Sequence, residues 1–404
     1  MLVGSIVLLL SSCSGSPGPP DPTPPPAIDR AAATAVDEVV TALMATEHLK
    51  AVIAEVSVDG RVITRRAYGE SMRGVPATTE MHFRNGAVAV SYISTLLLRL
   101  VDDGMVDLDD RVSTWLPDVR YADQVTLRQL AQMTAGYEDY VSAPAFTKML
   151  YADPFRTFTP EELIAIGTSR PLLYPPGTNW NYSHTDYVIL GLALEKITGL
   201  SLREALSEYV LGPLGLDQTL DPGTPYVPAP ALQVYTSERR WALGIPSGTP
   251  FYEDSTYWNP SWTLARGAIQ TTTIDDLHTT AIAVGTGSLL TGQSYSDMIT
   301  KSLIGQTTYL EGCATCYPQQ SAYTYGLGIV STGDWLMQNS LSAGQGSAFA
   351  YLPSRKVAIA VTVTFTPQAF TEPESPDNAA DLLWRRIAAE LVPDEAPVIR
   401  SGPR

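Results

Sequence analysis

Strand-forming segments lie at both ends of this chain of 404 residues, and a long helical region separates them. Residues 51–58 and 61–68 are β-rich runs joined at Asp59-Gly60, a dipeptide typical of a tight hairpin turn. Further β-rich runs occupy residues 326–330, 347–352 and 357–365. Because each strand must bury an apolar face, this arrangement predicts an α+β domain whose antiparallel sheet is built from both chain ends and flanked by helices.

Helical periodicity accounts for the rest of the domain. An apolar stripe at Val36, Val39, Val40 and Leu43 predicts a first helix, with Asp29 as its N-cap. Similar stripes at residues 93–100 and 188–197 predict a mostly helical subdomain, about 92–290, inserted in a domain of residues 29–395. A last amphipathic helix spans 378–391, and residues 396–404 form a tail. Residues 221–260 and 305–321 fit no regular element, and either rim a site or are variable decoration.

The first residues predict export. Residues 2–10 form an apolar run too short to span a bilayer, followed by Ser11, Ser12 and Cys13. This segment resembles a bacterial lipoprotein signal, which implies that residues 1–13 are a signal peptide ending at a lipidated Cys13, although no Lys or Arg precedes that cysteine. Residues 14–28, rich in proline, predict a tether. We expect a domain anchored by lipid on the outer face of the cytoplasmic membrane; the alternative is a soluble protein with a chance apolar start.

The net charge and the cysteines limit which partners and cofactors this chain is expected to bind. Against 42 acidic residues there are only 26 basic ones, giving a net charge of -16, which disfavours nucleic acid as a partner. Cys313 and Cys316 lie in a polar segment as Cys-Ala-Thr-Cys, and in an oxidising compartment this spacing favours a small loop disulfide. No second Cys or His pair has the spacing of zinc ligands, so no metal or other cofactor is expected.

Several short motifs, each occurring once, follow one another along the chain. They are Phe83-Arg84-Asn85-Gly86, Val106-Asp107-Leu108-Asp109-Asp110, Met133-Thr134-Ala135-Gly136, Pro175-Pro176-Gly177-Thr178, Tyr182-Ser183-His184, Gly212-Pro213-Leu214-Gly215-Leu216 and Tyr325-Gly326-Leu327-Gly328. In order and spacing they resemble the serine β-lactamase and penicillin-binding-protein family, in its class C and D-alanyl-D-alanine peptidase-like branch, from residue 51 to about 391. The resemblance implies a β-lactamase/transpeptidase-like fold and a cleft for acyl transfer.

The catalytic serine and lysine that the resemblance implies are absent. Alanine, Ala87, occupies the position of the nucleophile, and Val90 that of the lysine one helical turn later. No Ser-x-x-Lys occurs elsewhere, because the residues three before the lysines are Glu47, Ala145, Ala193, Met298 and Pro353. Gly-x-Ser-x-Gly and His-Glu-x-x-His are also missing. Ser91 and Ser94 have no lysine partner, and we interpret them as back-bonding or helix-surface hydroxyls.

The second motif is partly kept. Tyr182-Ser183-His184 resembles the family's Tyr-x-Asn, with histidine in place of asparagine. A tyrosine acts as a base near neutral pH only when a neighbouring cation lowers its pKa, and Val90 supplies none. We therefore expect Tyr182 to have a structural or ligand-contacting role. Asp186 follows His184 by two residues, a spacing that does not itself build a triad, and a lone loop histidine is more often structural.

The third motif is altered as well. The resemblance implies a Lys or His, then a variable residue and Gly, on a strand that contacts the substrate carboxylate. The matching residues are Gln338-Asn339-Ser340, in which a neutral amide replaces the cation and Ser340 adds bulk where glycine allows close approach. Loss of this cation predicts weak affinity for β-lactams.

Three functional hypotheses follow. The first is a pseudoenzyme that binds a peptidoglycan-type or other envelope ligand without acylation, with Ala87, Tyr182, His184, Gln338 and Ser340 as candidate cleft residues. The alternative is an active esterase, β-lactamase or D-Ala-D-Ala peptidase with a rearranged site that uses Tyr182, His184 and Ser91 or Ser340. The third is a structural or protein-interaction module whose partner is unknown.

Overall fold

The structure is a computed structural model and describes residues 27–246, 248–370 and 376–398. Cys13, the expected signal peptide and nearly all of the expected tether lie outside the described residues. Residues 27 and 28, assigned to that tether from sequence, belong to the first helix. In the described part of the chain, no helix is both long and apolar enough to cross a membrane.

An eight-stranded antiparallel sheet forms the centre of the described chain, in the order β3-β2-β1-β12-β11-β10-β9-β8. Its strands are β1 (Leu49–Val58), β2 (Arg61–Met72), β3 (Val75–Pro76), β8 (Thr324–Tyr325), β9 (Val330–Thr332), β10 (Trp335–Ser342), β11 (Gln345–Leu352) and β12 (Val357–Phe365). Two further pairs, β4 (Phe83–Arg84) with β7 (Thr271–Thr272) and β5 (Tyr235–Thr236) with β6 (Glu253–Asp254), lie outside it.

The two chain ends meet at the centre of this sheet. β1 pairs antiparallel with β12, with Val52 opposite Val363. β1 and β2 form the predicted hairpin, and Asp59 and Gly60 at its turn have φ values of 51° and 74°, which primed hairpin turns require. Every residue of β12 is buried, because helices cover both faces of the sheet. The predicted antiparallel sheet from both chain ends is confirmed.

Ten α-helices are found in the described residues. They are α1 (Ala27–Thr46), α2 (Ala89–Asp102), α3 (Leu127–Ala131), α4 (Pro144–Ala152), α5 (Pro160–Gly167), α6 (His184–Thr198), α7 (Leu202–Leu206), α8 (Ile274–Thr286), α9 (Gly292–Met298) and α10 (Ala379–Leu391). The terminal helices α1 and α10 pack together and against the sheet, and α8 also packs on the sheet. α2 and α6 contain the two apolar stripes read from the sequence.

Two local predictions were wrong. The first helix begins at Ala27, so Asp29 lies inside it and is not its N-cap. The strand expected at residues 326–330 is interrupted: β8 ends at Tyr325 and β9 begins at Val330. The interruption brings the chain against α2, since a Cβ added to Gly328 would lie 2.3 Å from Ser94 Oγ. Gly328 also has a φ of 71°, which disfavours any side chain there.

Candidate active site

The start of α2 forms the apolar side of the candidate cleft. A 3₁₀ turn, Gly86–Val88, leads into α2, and Ala87 on this turn is half-buried. Val90, in the first turn of α2, has no exposed surface and belongs to the main hydrophobic core. A methyl group and an isopropyl group occupy the positions at which the sequence resemblance implies a nucleophile and its activating lysine. Neither group attacks a carbonyl or transfers a proton.

The serines of α2 are committed to structural hydrogen bonds. Ser91 Oγ donates to the carbonyl oxygen of Val88 at 2.8 Å, and Ser94 Oγ is 2.9 Å from the hydroxyl of Tyr187. Both serines are fully buried. A nucleophile must reach solvent and a base, and these two hydroxyls reach neither a solvent surface nor a histidine.

Tyr182 lies beside His184, with ring centroids 5.2 Å apart in an edge-to-face arrangement. Burial, followed by the charge of Asp139, raises the pKa of the Tyr182 hydroxyl well above its usual value. A proton acceptor near neutral pH needs the opposite shift. The environment therefore favours an uncharged Tyr182 that contacts neighbours or ligand.

His184 is paired with a carboxylate that the sequence did not reveal. Contrary to the expectation of a loop residue, it is the first residue of α6, directly after the N-cap Ser183. Its Nδ1 lies 3.1 Å from both carboxylate oxygens of Asp139. Asp139 also accepts hydrogen bonds from the backbone N–H groups of His184 and Val141, which fixes the carboxylate in place.

The second ring nitrogen of His184, Nε2, has no hydrogen-bond partner in the described chain. Aromatic rings surround the imidazole: Tyr140, Tyr182 and Trp262 have centroids 5.9, 5.2 and 6.4 Å away. An imidazole oriented by a carboxylate at Nδ1, with Nε2 unengaged, has the geometry of a general base. Sequence reasoning missed it because Asp139 lies 45 residues before His184.

Asp186, which follows His184, has a different role. It is fully buried, and Ser183 Oγ donates to it at 2.8 Å. Burial raises the pKa of the Asp186 carboxyl well above its usual value. A buried carboxyl in the first turn of α6, bonded to the N-cap Ser183, serves the helix start and not a catalytic relay.

Gln338 and Ser340 lie on β10, with Asn339 between them facing α10, where its Nδ2 donates to Asp381. The amide of Gln338 is used internally: its Nε2 donates to the carbonyl oxygen of Gly328 at 3.2 Å, and its Oε1 accepts from the N–H of Asn339. Ser340 packs on Gly86, where an added Cβ would lie 2.6 Å from Ser340 Cβ. β10 therefore offers no cation to an anionic ligand.

A cavity opens beside Gly86 and Ser340. Its open volume, including the part continuous with solvent, is about 530 Å³. Its walls include Arg84, Trp258, Trp262, Pro260, Ser342 and Gln345. From sequence, Arg84 stands out only as part of a family motif. A charged residue directly after the buried Phe83 was the available signal that Arg84 has a special environment.

Glu238 lies buried next to the β10–β11 turn. Its carboxylate interacts with the backbone N–H groups of Ala343 and Gly344, and Tyr151 donates to it at 3.3 Å. Burial nonetheless dominates and raises the pKa of Glu238 to about 7. Glu238 thus places an ionisable group beside Ala343, which lines the cavity, whereas Ala87, Val90, Ser91 and Ser94 on the α2 side carry none.

Cys313 and Cys316 form a disulfide with a Cα–Cα distance of 5.5 Å. The enclosed loop touches the site through Thr315, whose carbonyl oxygen accepts from the backbone N–H of Tyr182 at 3.4 Å. Across the described ranges, no cluster of three or more His, Cys, Asp or Glu side chains has the arrangement of a metal site.

Comparison with known proteins identifies relatives for this arrangement. Esterase EstB of Burkholderia gladioli is 30% identical over 197 residues, 46% of this chain and 50% of the esterase. Penicillin-binding protein 4 of Amycolatopsis lactamdurans is 32% identical over 186 residues, 44% of this chain and 46% of that protein. The matched segments thus span about half the length of these relatives.

Solved structures match over more of the chain. A D-stereospecific amidohydrolase from Streptomyces sp. superposes with a TM-score of 0.69 at 24% identity, covering 83% of this chain and 96% of the other. D-amino acid amidase from Ochrobactrum anthropi SV3, complexed with L-phenylalanine amide, has a TM-score of 0.72 at 20% identity, covering 90% and 99%. At these identities the likeness shows the fold. The Beta-lactamase family model matches residues 36–383, and the chain therefore belongs to the β-lactamase family.

Proposed function

We propose that this protein is a non-acylating member of the β-lactamase family that binds a ligand in the retained cleft. The observation that carries the proposal is the complete burial of Val90 in the apolar core beside Ala87. A lysine-activated serine needs both groups, and the chain offers an alanine and a valine. Gln338, whose amide is bound to Gly328, leaves the β10 wall neutral as well.

The ligand class follows from the relatives. Those named include an esterase, a penicillin-binding protein, D-aminopeptidases and an amidase complexed with phenylalanine compounds. Several of these names refer to penicillin or to D-amino-acid compounds, which supports a peptidoglycan-type peptide or a related amino-acid derivative as the ligand here. Affinity for β-lactams is expected to be low, because the β10 wall has no cation for their carboxylate.

Labelling with a fluorescent penicillin and with a fluorophosphonate probe tests the absence of acylation. The purified protein is expected to form no covalent adduct with either reagent on a denaturing gel or by intact-mass measurement. An adduct of stoichiometric yield would overturn the proposal. The double variant Ala87→Ser/Val90→Lys is expected to acylate slowly at most, because Gln338 is unchanged; rapid turnover would mean that the rest of the machinery is complete.

We further propose that the protein is exported and anchored through Cys13, as the apolar run of residues 2–10 and the proline-rich segment after Cys13 support. Expression of the full chain with Cys13→Ala is expected to move the protein from the membrane fraction to the soluble fraction. A second cysteine substitution, Cys316→Ser, serves as a matched control and should leave the membrane fraction unchanged. Membrane association that survives Cys13→Ala contradicts the anchor.

A hydrolase with a rearranged site is the second candidate, favoured by the Asp139–His184 pair with its unengaged Nε2. In that mechanism His184 would take a proton from water or from the hydroxyl of Ser340. Hydrolysis of p-nitrophenyl acetate distinguishes the two candidates when wild type and His184→Ala are compared at equal concentration. Saturable turnover abolished by His184→Ala would establish this candidate, and equal background rates would exclude it for this ester.

A further inference from the structure

The cavity beside Gly86 contains a positive charge that no described carboxylate neutralises. Arg84 Nη2 donates to the backbone carbonyl oxygens of Pro225, Thr256 and Trp258. Within the described ranges, no acidic side chain forms an ion pair with Arg84, and its Nη1 and Nε have no hydrogen-bond acceptor. Asp221, the carboxylate that acts on Arg84 electrostatically, is itself bound to Arg203 at 2.9 Å.

The surroundings of Arg84 raise the free energy of this unpaired charge. Burial lowers the pKa of its guanidinium to about 10, so the group stays charged at neutral pH while it is partly desolvated. The backbone carbonyl oxygens form hydrogen bonds with Nη2 of Arg84 only. A desolvated cation is stabilised most by an anion placed against its remaining N–H groups.

The rest of the cavity wall is aromatic. Trp258, Pro260 and Trp262 line it, and the indole N–H of Trp258 is buried with no partner in the described chain. The hydroxyl-bearing residues Ser340 and Ser342 line it from β10. Flat apolar walls beside a guanidinium suit a ligand with one charged end and one flat apolar end.

We propose that this cavity binds a small organic carboxylate that bears an aromatic or similarly flat apolar group, with the carboxylate on Arg84 and the apolar group against Trp258 and Trp262. The planar guanidinium matches a carboxylate in shape and charge. Because the protein carries a net charge of -16 and the cavity offers one cation, a monoanion is repelled less than a dianion such as phosphate. The inference rests on the proposed function, because it assumes that the cleft binds its ligand without acylation.

In this arrangement the anion-binding group has moved within the cleft. The family pattern places a cation at position 338, on β10, where this chain has glutamine. Arg84 lies on β4, three residues before Ala87, and lines the cavity. Carboxylate binding then persists, with the ligand anchored beside the start of α2.

A matched pair of probes, 3-phenylpropanoate and 3-phenylpropanamide, tests the inference, since they differ in charge and hardly in shape. Titration followed by tryptophan fluorescence and by calorimetry should give the carboxylate an affinity about ten-fold to a hundred-fold higher than the amide. Arg84→Gln should bring the two affinities together by weakening the carboxylate alone. Arg266→Gln, at an exposed arginine of the same region, is the control and should keep the preference.

A second variant covers the case in which Arg84→Gln does not fold, since Arg84 also holds three carbonyls. Ser342→Phe fills the cavity and leaves Arg84 in place, so it should weaken both probes. Equal affinities for the two probes in wild type, an Arg84→Gln that keeps the preference, or a Ser342→Phe that binds normally would each overturn the inference. Penicillin labelling without loss of the Arg84-dependent preference would instead contradict only the non-acylating function.

Discussion

The two sides of the cleft differ in chemistry. The α2 side, at Ala87, Val90 and Ser91, is apolar or satisfied by internal hydrogen bonds. The second side, the loop side, is defined by Asp139, which pairs with His184 at the start of α6, and by the buried Glu238, and it retains ionisable groups. A site that had decayed at random would lose polar groups on both sides. This contrast is what the proposed non-acylating, ligand-binding function requires, and variants on each side test it.

Restoring only the lysine is the most severe test of the α2 side. Val90→Lys should lower the free energy of unfolding by about 3–5 kcal/mol at pH 7, because the ammonium enters a fully buried apolar position without a counter-charge. Denaturant unfolding measures the loss.

Val90→Met is the matched control, since it has similar length and no charge, and should cost about 1 kcal/mol. If Val90→Lys is as stable as Val90→Met, the α2 side still solvates a cation and the contrast between the two sides fails.

On the loop side, Asp139→Ala should cost about 3 kcal/mol. Three hydrogen bonds end on this buried carboxylate, from His184 Nδ1 and from the N–H groups of His184 and Val141, and the substitution leaves those donors unpaired. Asp139→Asn keeps an oxygen acceptor, and its free energy of unfolding should fall clearly less than that of Asp139→Ala. Thermal and denaturant unfolding of both variants give the comparison, and equal losses would mean that the carboxylate merely fills space.

The pH dependence of stability tests Glu238. Its pKa of about 7 in the folded protein lies above the ordinary value of 4.5, so the folded state keeps the proton to higher pH than the unfolded state. Stability is therefore highest below about pH 4.5 with respect to this group, falls as pH rises to about 7, and then levels off. The total change attributable to Glu238 is up to about 3 kcal/mol.

Glu238→Gln removes this titration and should flatten the stability profile between pH 5 and pH 8, as followed by urea unfolding at each pH. Glu161→Gln, at an exposed glutamate, is the control and should keep the slope of wild type. A slope unchanged in Glu238→Gln assigns the titration to another group.

The sheet and the family motifs were predictable from sequence, because they depend on local patterns. Alternating or continuous apolar runs specify β1, β2 and β12, and Asp59-Gly60 specifies the hairpin turn between β1 and β2. The interruption between β8 and β9 was not predictable, because it depends on the approach of Ser94 to Gly328, and these residues lie 234 positions apart in the sequence.

The candidate site also has features that the sequence reveals and features that it does not. The absence of a serine at 87 and a lysine at 90 is legible in the sequence, whereas the partners that give the remaining residues their roles are distant. Asp139 meets His184 across 45 residues, and the carbonyls that hold Arg84 come from a segment that fits no pattern. Sequence thus revealed what the site lacks more readily than what it retains.

The smallest expected effect concerns the disulfide at the edge of the loop side. Cys313→Ser/Cys316→Ser should lower the free energy of unfolding by about 1–2 kcal/mol, since so short a loop restricts the unfolded chain only slightly. The loop contacts the backbone of Tyr182 through Thr315, so a fraction of the loss reflects looser packing there. Urea unfolding with and without reductant provides the measurement: reductant should destabilise wild type by the same amount and leave the double variant unchanged. A response of the double variant to reductant would assign the effect to something other than this bond, and a larger loss would make the loop a support of the binding wall.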